Sequence, residues 1–248
     1  MQSRARVARK RHSSKPAYEV PATDQAQATE ARRELSSATP SEVLRWAMQT
    51  FGAEFCVTTS LADAVLIDMA CKIQPGVHVV FVDTGYHFPE TLQTRTEIAA
   101  RYPITMISAQ PERTVAEQDA EHGLQLFDRN PDLCCRLRKV EPINQVLKGY
   151  RAWASGIRRD ETSVRSNVST VEWDPVRSLV KVNPLANWTQ PDVDAYVRAN
   201  DVLVSPLVAQ GYFSIGCAPC TLPAMAGGDG RSGRWVGRRK IECGLHTG

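Results

Sequence analysis

The order of apolar and polar residues predicts short strands that alternate with helices. A nearly continuous apolar run such as 77–82 is typical of a strand buried on both faces, whereas apolar positions spaced three or four apart are typical of a helix. Predicted strands lie at 55–58, 77–82, 104–107, 151–154 and near 180–182. Predicted helices lie at 62–73, 89–101, 115–122 and 134–148, with one from Thr39 toward Phe51 and one opened by Thr189-Gln190-Pro191-Asp192. This alternation predicts an α/β fold built on a parallel sheet.

The chain divides by composition into three parts. Residues 1–38 are polar and are predicted to form a disordered basic tail with one helix near 25–35. The folded domain is predicted to span 39–220, because Thr39, Pro40 and Glu42 combine the start signals of a helix. Residues 221–248 lose periodicity and contain several glycines, which predicts a mobile C-terminal segment. No internal repeat is found.

Charge and hydropathy narrow the class of protein. The net charge is +3, but the first 15 residues hold six basic side chains and no acid. The rest of the chain is nearly neutral, which favours a solvated basic tail over a nucleic-acid or organelle-targeting arm. The apolar runs are far shorter than the roughly 18 residues of a membrane span, and no signal peptide follows the start, so a soluble protein is predicted.

Seven cysteines in 248 residues are fewer than a disulfide-stapled secreted chain usually contains, and an odd number cannot all form pairs. Their use indicates a reducing compartment, and we therefore predict a cytoplasmic protein. Cys56 and Cys71 lie in apolar segments and are interpreted as small core residues.

Two loops follow predicted strands, where parallel sheets bind ligands. Ser60 and Asp63 follow the first strand and could form an anion or ribose cradle at a helix N-terminus, although helix capping explains them equally well. Asp83, Thr84 and Gly85 follow the second strand and suit adenosine recognition, but the same residues make an ordinary turn. Neither loop is specific by itself.

The other cysteines include two pairs, Cys134-Cys135 and Cys217-Ala218-Pro219-Cys220. Four thiolates can hold a zinc ion or an iron–sulfur cluster. Adjacent side chains on a helix point about 100° apart, which is awkward for one zinc ion but suits two corners of a larger cluster. The spacing therefore favours a cluster, with ordinary thiols as the less favoured alternative.

Residues 39–248 resemble the assimilatory adenylyl-sulfate reductases, particularly the actinobacterial type. The matching motifs are CCRLRK at 134–139, GYFSIGCAPCT at 211–221 and ECGLH at 242–246. The resemblance implies the parallel-sheet fold of the adenine-nucleotide α-hydrolases, also called the PP-loop fold. The phosphate loop would be Thr59 to Asp63, which lacks the glycines of pyrophosphatase relatives and is interpreted as an adenosine contact.

The resemblance also implies roles for individual residues. Cys243 would be the nucleophile, and a [4Fe-4S] cluster would be bound by Cys134, Cys135, Cys217 and Cys220. Arg165, Arg231 and Arg234 would bind the phosphosulfate, with Lys139 between cluster and substrate. The expected reaction reduces adenosine 5′-phosphosulfate to sulfite and AMP. Because the chain has no redoxin-like segment, thioredoxin is expected as an external reductant.

This chemistry is physically reasonable. A thiolate that attacks the electrophilic sulfur of adenylyl sulfate would form S-sulfocysteine and release AMP. Thiolate, sulfate and phosphate repel one another, so cations must screen them, and the basic residues before Cys243 and after the strand at 151–154 supply these.

Three alternatives remain open. A zinc-containing ATP pyrophosphatase could share the fold. A nonenzymatic metal protein could bind nucleic acid through the basic tail, although nucleic acid is the less favoured partner. A reductase of the same family could prefer the 3′-phosphorylated substrate, but the cluster cysteines favour adenylyl sulfate.

Overall fold

The computed structural model describes residues 22–225 and 227–245, which contain six β-strands and ten α-helices. The strands are β1 Phe55–Thr59, β2 His78–Val82, β3 Thr105–Ala109, β4 Ala152–Ala154, β5 Val171–Asp174 and β6 Leu179–Val182. The helices are α1 Ala22–Glu34, α2 Pro40–Phe51, α3 Val65–Ile73, α4 Pro89–Arg101, α5 Val115–His122, α6 Leu126–Arg129, α7 Pro131–Cys135, α8 Glu141–Leu147, α9 Gln190–Asn200 and α10 Pro206–Ala209. The predicted basic stretch at 1–15 and His246 of the last motif lie outside the described residues.

The six strands form one sheet in the order β3-β2-β1-β4-β6-β5. All neighbours are parallel except β5 and β6, which pair antiparallel at the edge. The predicted parallel α/β sheet is therefore confirmed. Strand β5 was not predicted, because Val171-Glu172-Trp173-Asp174 is only four residues long and follows a polar loop, so its alternation is too short to stand out.

The central strands are buried on both faces, which explains their continuous apolar sequences. In β1, Phe55 and Val57 pack into the main core, whereas Cys56 packs into a second core on the opposite face. Strand β4 divides in the same way, with Trp153 on the second face. The interpretation of Cys56 as a core residue is confirmed, and a sheet covered on both sides leaves its carboxyl edge as the accessible place for a site.

The predicted helix at 134–148 is interrupted. Helix α7 ends at Cys135, residues Arg136–Val140 form one π-helical turn, and α8 follows. Pro142 provides a physical reason, because its ring cannot donate to the carbonyl of residue 138 and would clash with it in a regular α-helix. The wider turn accommodates the proline and changes the direction in which the side chains of residues 136–140 point.

The predicted tail needs a correction from Ala22 onward. Helix α1 packs against the sheet with Ala28 and Ala31 buried in the main core. Its Asp24 carboxylate is buried and receives two hydrogen bonds from the Arg151 guanidinium, at 2.6 and 3.1 Å. The predicted helix near 25–35 is confirmed, but it belongs to the folded part of the chain, since small alanines let it lie close to the sheet. None of the helices in the described ranges is long and apolar enough to cross a membrane.

The substitution Ala31→Asp tests whether α1 is part of the domain. It would place an unpaired carboxylate in the core, and we expect it to lower the free energy of unfolding by about 2 kcal/mol or more. The matched control is Ala26→Asp, because Ala26 lies on the exposed face of the same helix. Thermal or urea denaturation measures both. Equal stability of the two variants would restore the tail interpretation.

Candidate active site

A cavity of about 410 Å³ lies over the carboxyl ends of β1, β2 and β4. The chain proceeds from β1 to β2 and β3 on one side and returns as β4 on the other side of β1. Connections therefore leave these neighbouring strands in opposite directions and open a crevice between them. The loops after the strands, part of α9 and the segment before the C-terminus form its walls.

The structure brings most of the predicted site residues to this cavity. Its lining includes Ser60, Asp63, Thr84, Lys139, Arg165, Arg231, Arg234 and Cys243. Burial raises the pKa of the Asp63 carboxyl, while its Oδ1 accepts a hydrogen bond of 2.9 Å from the Val65 N–H at the start of α3. The N-cap residue of α3 is Ala64, which has no side-chain cap, so Asp63 supports the turn before the helix while remaining at the cavity wall.

Asp83 and Gly85 do not line the cavity, so the structure does not support their prediction as substrate contacts. The Asp83 carboxylate accepts from the Gly85 N–H at 3.3 Å, which closes a turn after β2. Gly85 has φ 74° and lies against the Arg138 guanidinium, where a Cβ would stand 3.0 Å from Nη2. Both residues shape the turn that carries Thr84, whose hydroxyl is buried.

Four cationic side chains converge on the cavity from separate parts of the chain. Lys139 comes from the π-helical turn and Arg165 from the short 3-10 turn Ser163–Arg165, and both are buried. Arg231 and Arg234 come from the segment after residue 221. Burial alone would lower the pKa of Lys139, but the neighbouring thiols, as thiolates, raise it above its usual value. Convergent cations of this kind suit an anion with more than one negative group.

The Arg234 side chain is held between a glycine and an indole ring. Its guanidinium lies 4.4 Å from the centre of the Trp235 ring, and Trp235 is buried. On its other side lies Gly216, where a Cβ would collide with the guanidinium. The glycine at 216 is therefore required for close approach, and the ring face favours the cation.

Sequence analysis missed several residues at the cavity. His87, Ser155, Glu161 and Glu242 had been given no role. Of these, His87, Ser155 and Glu161 line the cavity, and Glu242 forms ion pairs with Arg165 and Arg231. Burial lowers the pKa of the His87 imidazole. Ser155 directly follows β4, so the rule that ligands bind beyond strand ends could have identified it. His87, Glu161 and Glu242 lie in loops and short turns, whose positions cannot be predicted from the spacing of apolar residues.

A second, smaller cavity is lined by the four paired cysteines, Cys134, Cys135, Cys217 and Cys220. All four are buried, and Tyr86 and Phe127 cover them. Burial and the neighbouring thiols raise the pKa of Cys134 to about 12. The two pairs, more than 80 positions apart in the sequence, therefore share one enclosed space.

The donor set of this cavity fits an iron–sulfur cluster. Its titratable ligands are thiols, and polar groups contact two sulfurs, with the Thr84 hydroxyl 3.3 Å from Cys217 Sγ and Arg238 Nη1 3.6 Å from Cys220 Sγ. Cluster sulfurs take such contacts. Within the described ranges, no three side chains of His, Cys, Asp or Glu stand close enough together to hold one metal ion.

Lys139 lines both cavities, so it lies next to the four cysteines and next to the cavity that holds Arg165, Arg231 and Arg234. The position of Lys139 between a cluster and the substrate stays a prediction.

The segment after residue 221 is irregular but contacts the domain at several points. An isolated bridge pairs Thr221 with Arg234, and the Trp235 N–H donates to the Cys220 carbonyl at 3.1 Å. Farther along, Arg238 pairs with Asp128 at 2.6 Å and Lys240 pairs with Asp132. Cys243 is half-buried at the cavity wall. The predicted mobility of this segment stays a prediction.

Comparison with known proteins agrees with this arrangement. Residues 54–223 match the phosphoadenosine phosphosulfate reductase domain. The chain is 55% identical over 219 residues to adenosine 5′-phosphosulfate reductase from Streptomyces coelicolor, covering 88% of this chain and 93% of that protein. The corresponding protein from Mycolicibacterium smegmatis is 52% identical over 214 residues, covering 86% of this chain and 91% of its own.

Solved structures give the same fold. Phosphoadenylyl-sulfate reductase from Candida auris, in a phosphate complex, matches with a TM-score of 0.69 and 32% identity, covering 80% of this chain and 97% of that one. FMN adenylyltransferase from Candida glabrata, with FAD and pyrophosphate, matches with a TM-score of 0.55 and 16% identity, covering 81% of this chain and 66% of that one, which shows the fold alone. The predicted PP-loop type of fold is confirmed.

Gly216→Ala tests the sandwich around Arg234. The added methyl group would push the guanidinium off the Trp235 ring, and we expect pyrophosphate, a simple anionic probe, to bind about tenfold more weakly. Isothermal titration calorimetry measures the affinity. Gly149→Ala is the matched control, since a Cβ there would meet only ordinary contacts. Unchanged affinity in Gly216→Ala would show that Arg234 does not need this position to bind anions.

Proposed function

Because the chain belongs to the phosphoadenosine phosphosulfate reductase family, we propose that it reduces adenosine 5′-phosphosulfate to sulfite and AMP in sulfate assimilation. The observation that carries the proposal is the position of Cys243 in one cavity with Lys139, Arg165, Arg231 and Arg234. A nucleophilic thiol surrounded by cations is what a reaction between two anions requires.

The first step joins the substrate sulfur to the protein. The Cys243 thiolate attacks the sulfur of the phosphosulfate, a sulfur–sulfur bond forms, and the bond between that sulfur and the bridging oxygen breaks. AMP leaves with the electron pair, and the protein carries S-sulfocysteine. Lys139 and the arginines stabilise negative charge on the leaving phosphate and on the transferred group.

The second step needs two electrons, and we propose that thioredoxin supplies them. A thioredoxin thiolate attacks Cys243 Sγ, and sulfite leaves with the electron pair of the sulfur–sulfur bond. The second thioredoxin thiol then displaces Cys243 from the mixed disulfide, so one dithiol is oxidised to a disulfide for each sulfite formed. A free Cys243 thiol requires a reducing compartment, for which we propose the cytoplasm.

The cavity also offers contacts for the adenosine part. Ser60, Asp63 and Thr84 lie at the ends of β1 and β2, and we assign them to this side of the substrate. The homologues named adenosine 5′-phosphosulfate reductase support the substrate without the 3′-phosphate.

The four buried cysteines would bind a [4Fe-4S] cluster. When bound, the cluster would supply a charged iron–sulfur group beside Lys139, and the bond changes assigned above occur at Cys243. The adjacent pair Cys134-Cys135 stands where α7 passes into the π-helical turn, which directs successive side chains differently from a regular helix.

Cys243→Ser tests the nucleophile. Without the thiol no sulfonated protein can form, so we expect sulfite release to fall to background while the fold is retained. Peptide mass spectrometry after incubation with adenosine 5′-phosphosulfate, without added thiol, locates the sulfonate, and reduced thioredoxin should remove it as sulfite.

The Cys71→Ser variant is the control, because Cys71 lies in the main core away from both cavities. Sulfonation of any residue other than Cys243 would refute the assignment. Faster sulfonation by the 3′-phosphorylated compound would leave the nucleophile unchanged and reverse the substrate preference.

Cys220→Ser tests the cluster. We expect anaerobically purified wild-type protein to contain about four iron atoms and four sulfides per chain, and the variant to lose most of both. Metal and acid-labile sulfide analysis measures this, and Cys71→Ser should keep the wild-type content. One zinc ion per chain and no iron would contradict the proposal.

A further inference from the structure

Glu242, the residue before the proposed nucleophile, is held by two arginines. Its Oε1 accepts from Arg165 Nε at 2.8 Å, and its Oε2 accepts from Arg165 Nη2 at 3.0 Å and from Arg231 Nη2 at 3.1 Å. The side chain is 9% exposed, and that of Arg165 is 7% exposed. Burial alone would raise the pKa of Glu242, but the two arginines lower it below its usual value, so the carboxylate is ionised.

This ion pair differs from the other ionic contacts of the C-terminal segment. Asp128 and Asp132, which pair with Arg238 and Lys240, are 59% and 82% exposed, although their basic partners are 21% and 9% exposed. In the pair of Glu242 with Arg165 both side chains are buried, and loss of one member of such a pair leaves an uncompensated charge, whereas a pair with a solvated carboxylate contributes little. The bidentate contact with Arg165 is also geometrically specific, because the planar guanidinium fixes the carboxylate in direction as well as distance.

Arg165 can hold Glu242 and still bind a substrate. Its Nη1 donates to Glu161 at 2.5 Å, so three of its five N–H groups are used by the two glutamates. Two N–H groups remain for an anion in the cavity. Among the described residues, Lys139 and Arg234 form no ion pair with a carboxylate, so they too are available.

We propose that Glu242 is a positioning residue whose carboxylate docks the C-terminal segment onto Arg165 and Arg231 and so holds Cys243 at the cavity. Consecutive Cα atoms are about 3.8 Å apart, so fixing Glu242 confines Cys243 to the cavity wall. This inference rests on the proposed reaction at Cys243, to which it adds the contact that brings the nucleophile into place.

The test compares Glu242→Gln and Glu242→Asp with Asp128→Asn. The glutamine keeps the size and removes the charge, the aspartate keeps the charge, and Asp128→Asn removes an exposed ion pair of the same segment. Three quantities are measured: alkylation of Cys243 by iodoacetamide without substrate, single-turnover sulfonation by adenosine 5′-phosphosulfate, and affinity for that compound in a Cys243→Ser background. Thermal denaturation checks the fold of each variant.

For Glu242→Gln we expect Cys243 alkylation to be about tenfold faster, because the reagent reaches the thiol when the segment is undocked. We expect sulfonation to be about tenfold slower and substrate affinity to change less than about threefold. Glu242→Asp should recover part of both rates, and Asp128→Asn should stay within about twofold of wild type.

A pH profile separates docking from a simple charge effect. Between about pH 6 and pH 10, undocking raises the plateau rate of alkylation, whereas loss of a nearby negative charge alone shifts only the midpoint. A wild-type plateau in Glu242→Gln would overturn the proposal. It would also be overturned by equal effects in Asp128→Asn, or by slower sulfonation that follows weaker substrate binding alone. If wild-type protein is not sulfonated at all, the proposed reaction fails, while the alkylation plateau still decides the docking role.

Discussion

Charge compensation inside a half-buried cavity is the constraint on which the arrangement of the site depends. Cations removed from water must be paired with anions, polar groups or ring faces, or their burial costs more than the fold can offset. Arg165 meets this requirement with Glu161 and Glu242, Arg234 with the face of Trp235, and Lys139 with neighbouring thiols. Each compensation leaves part of the cation unsatisfied, so these side chains can still pair with an anion in the cavity.

The sheet provides the rigid base for this cluster. Strands β1 and β4 are buried on both faces and meet at the place where the strand order reverses, so their carboxyl ends hold the loops at fixed positions. The cysteine pairs use less regular structure, namely the junction of α7 with the π-helical turn and the 3-10 turn Ala218–Cys220. Regular strands thus place Ser60, Asp63 and Thr84, and irregular turns place the thiols and Lys139.

Strong local patterns in the sequence predicted most of the fold, and rare motifs identified most of the residues that the structure brings to the two cavities. The capping residues around Thr39 and the apolar strands identified elements whose bounds differ by a few residues from those observed. Contacts that depend on tertiary packing could not be predicted from the spacing of apolar residues. Helix α1 has a polar sequence in which two small alanines suffice for burial, and Asp83 and Gly85 have the composition of a binding loop but close a turn. The contact between Glu242 and Arg165 joins positions 77 residues apart, which no local pattern encodes.

The proposed two-step reaction sets opposite demands on the C-terminal segment, because Cys243 must stand in the cavity for the first step and reach a protein reductant for the second. The structure suggests where these demands divide. Trp235 is 2% exposed and packs against the cysteine cavity, so residues up to it are fixed by apolar contacts. Beyond Gly237, which has φ 77°, Ile241 is already 64% exposed, and the contacts with the domain are ion pairs together with Leu245, which is half-buried against the second core. Release of that part would expose one half-buried leucine, and the ion pairs can re-form without repacking a core. Docking by ion pairs and one half-buried side chain is therefore compatible with both steps, whereas a segment anchored by a fully buried apolar side chain would favour the first at the expense of the second.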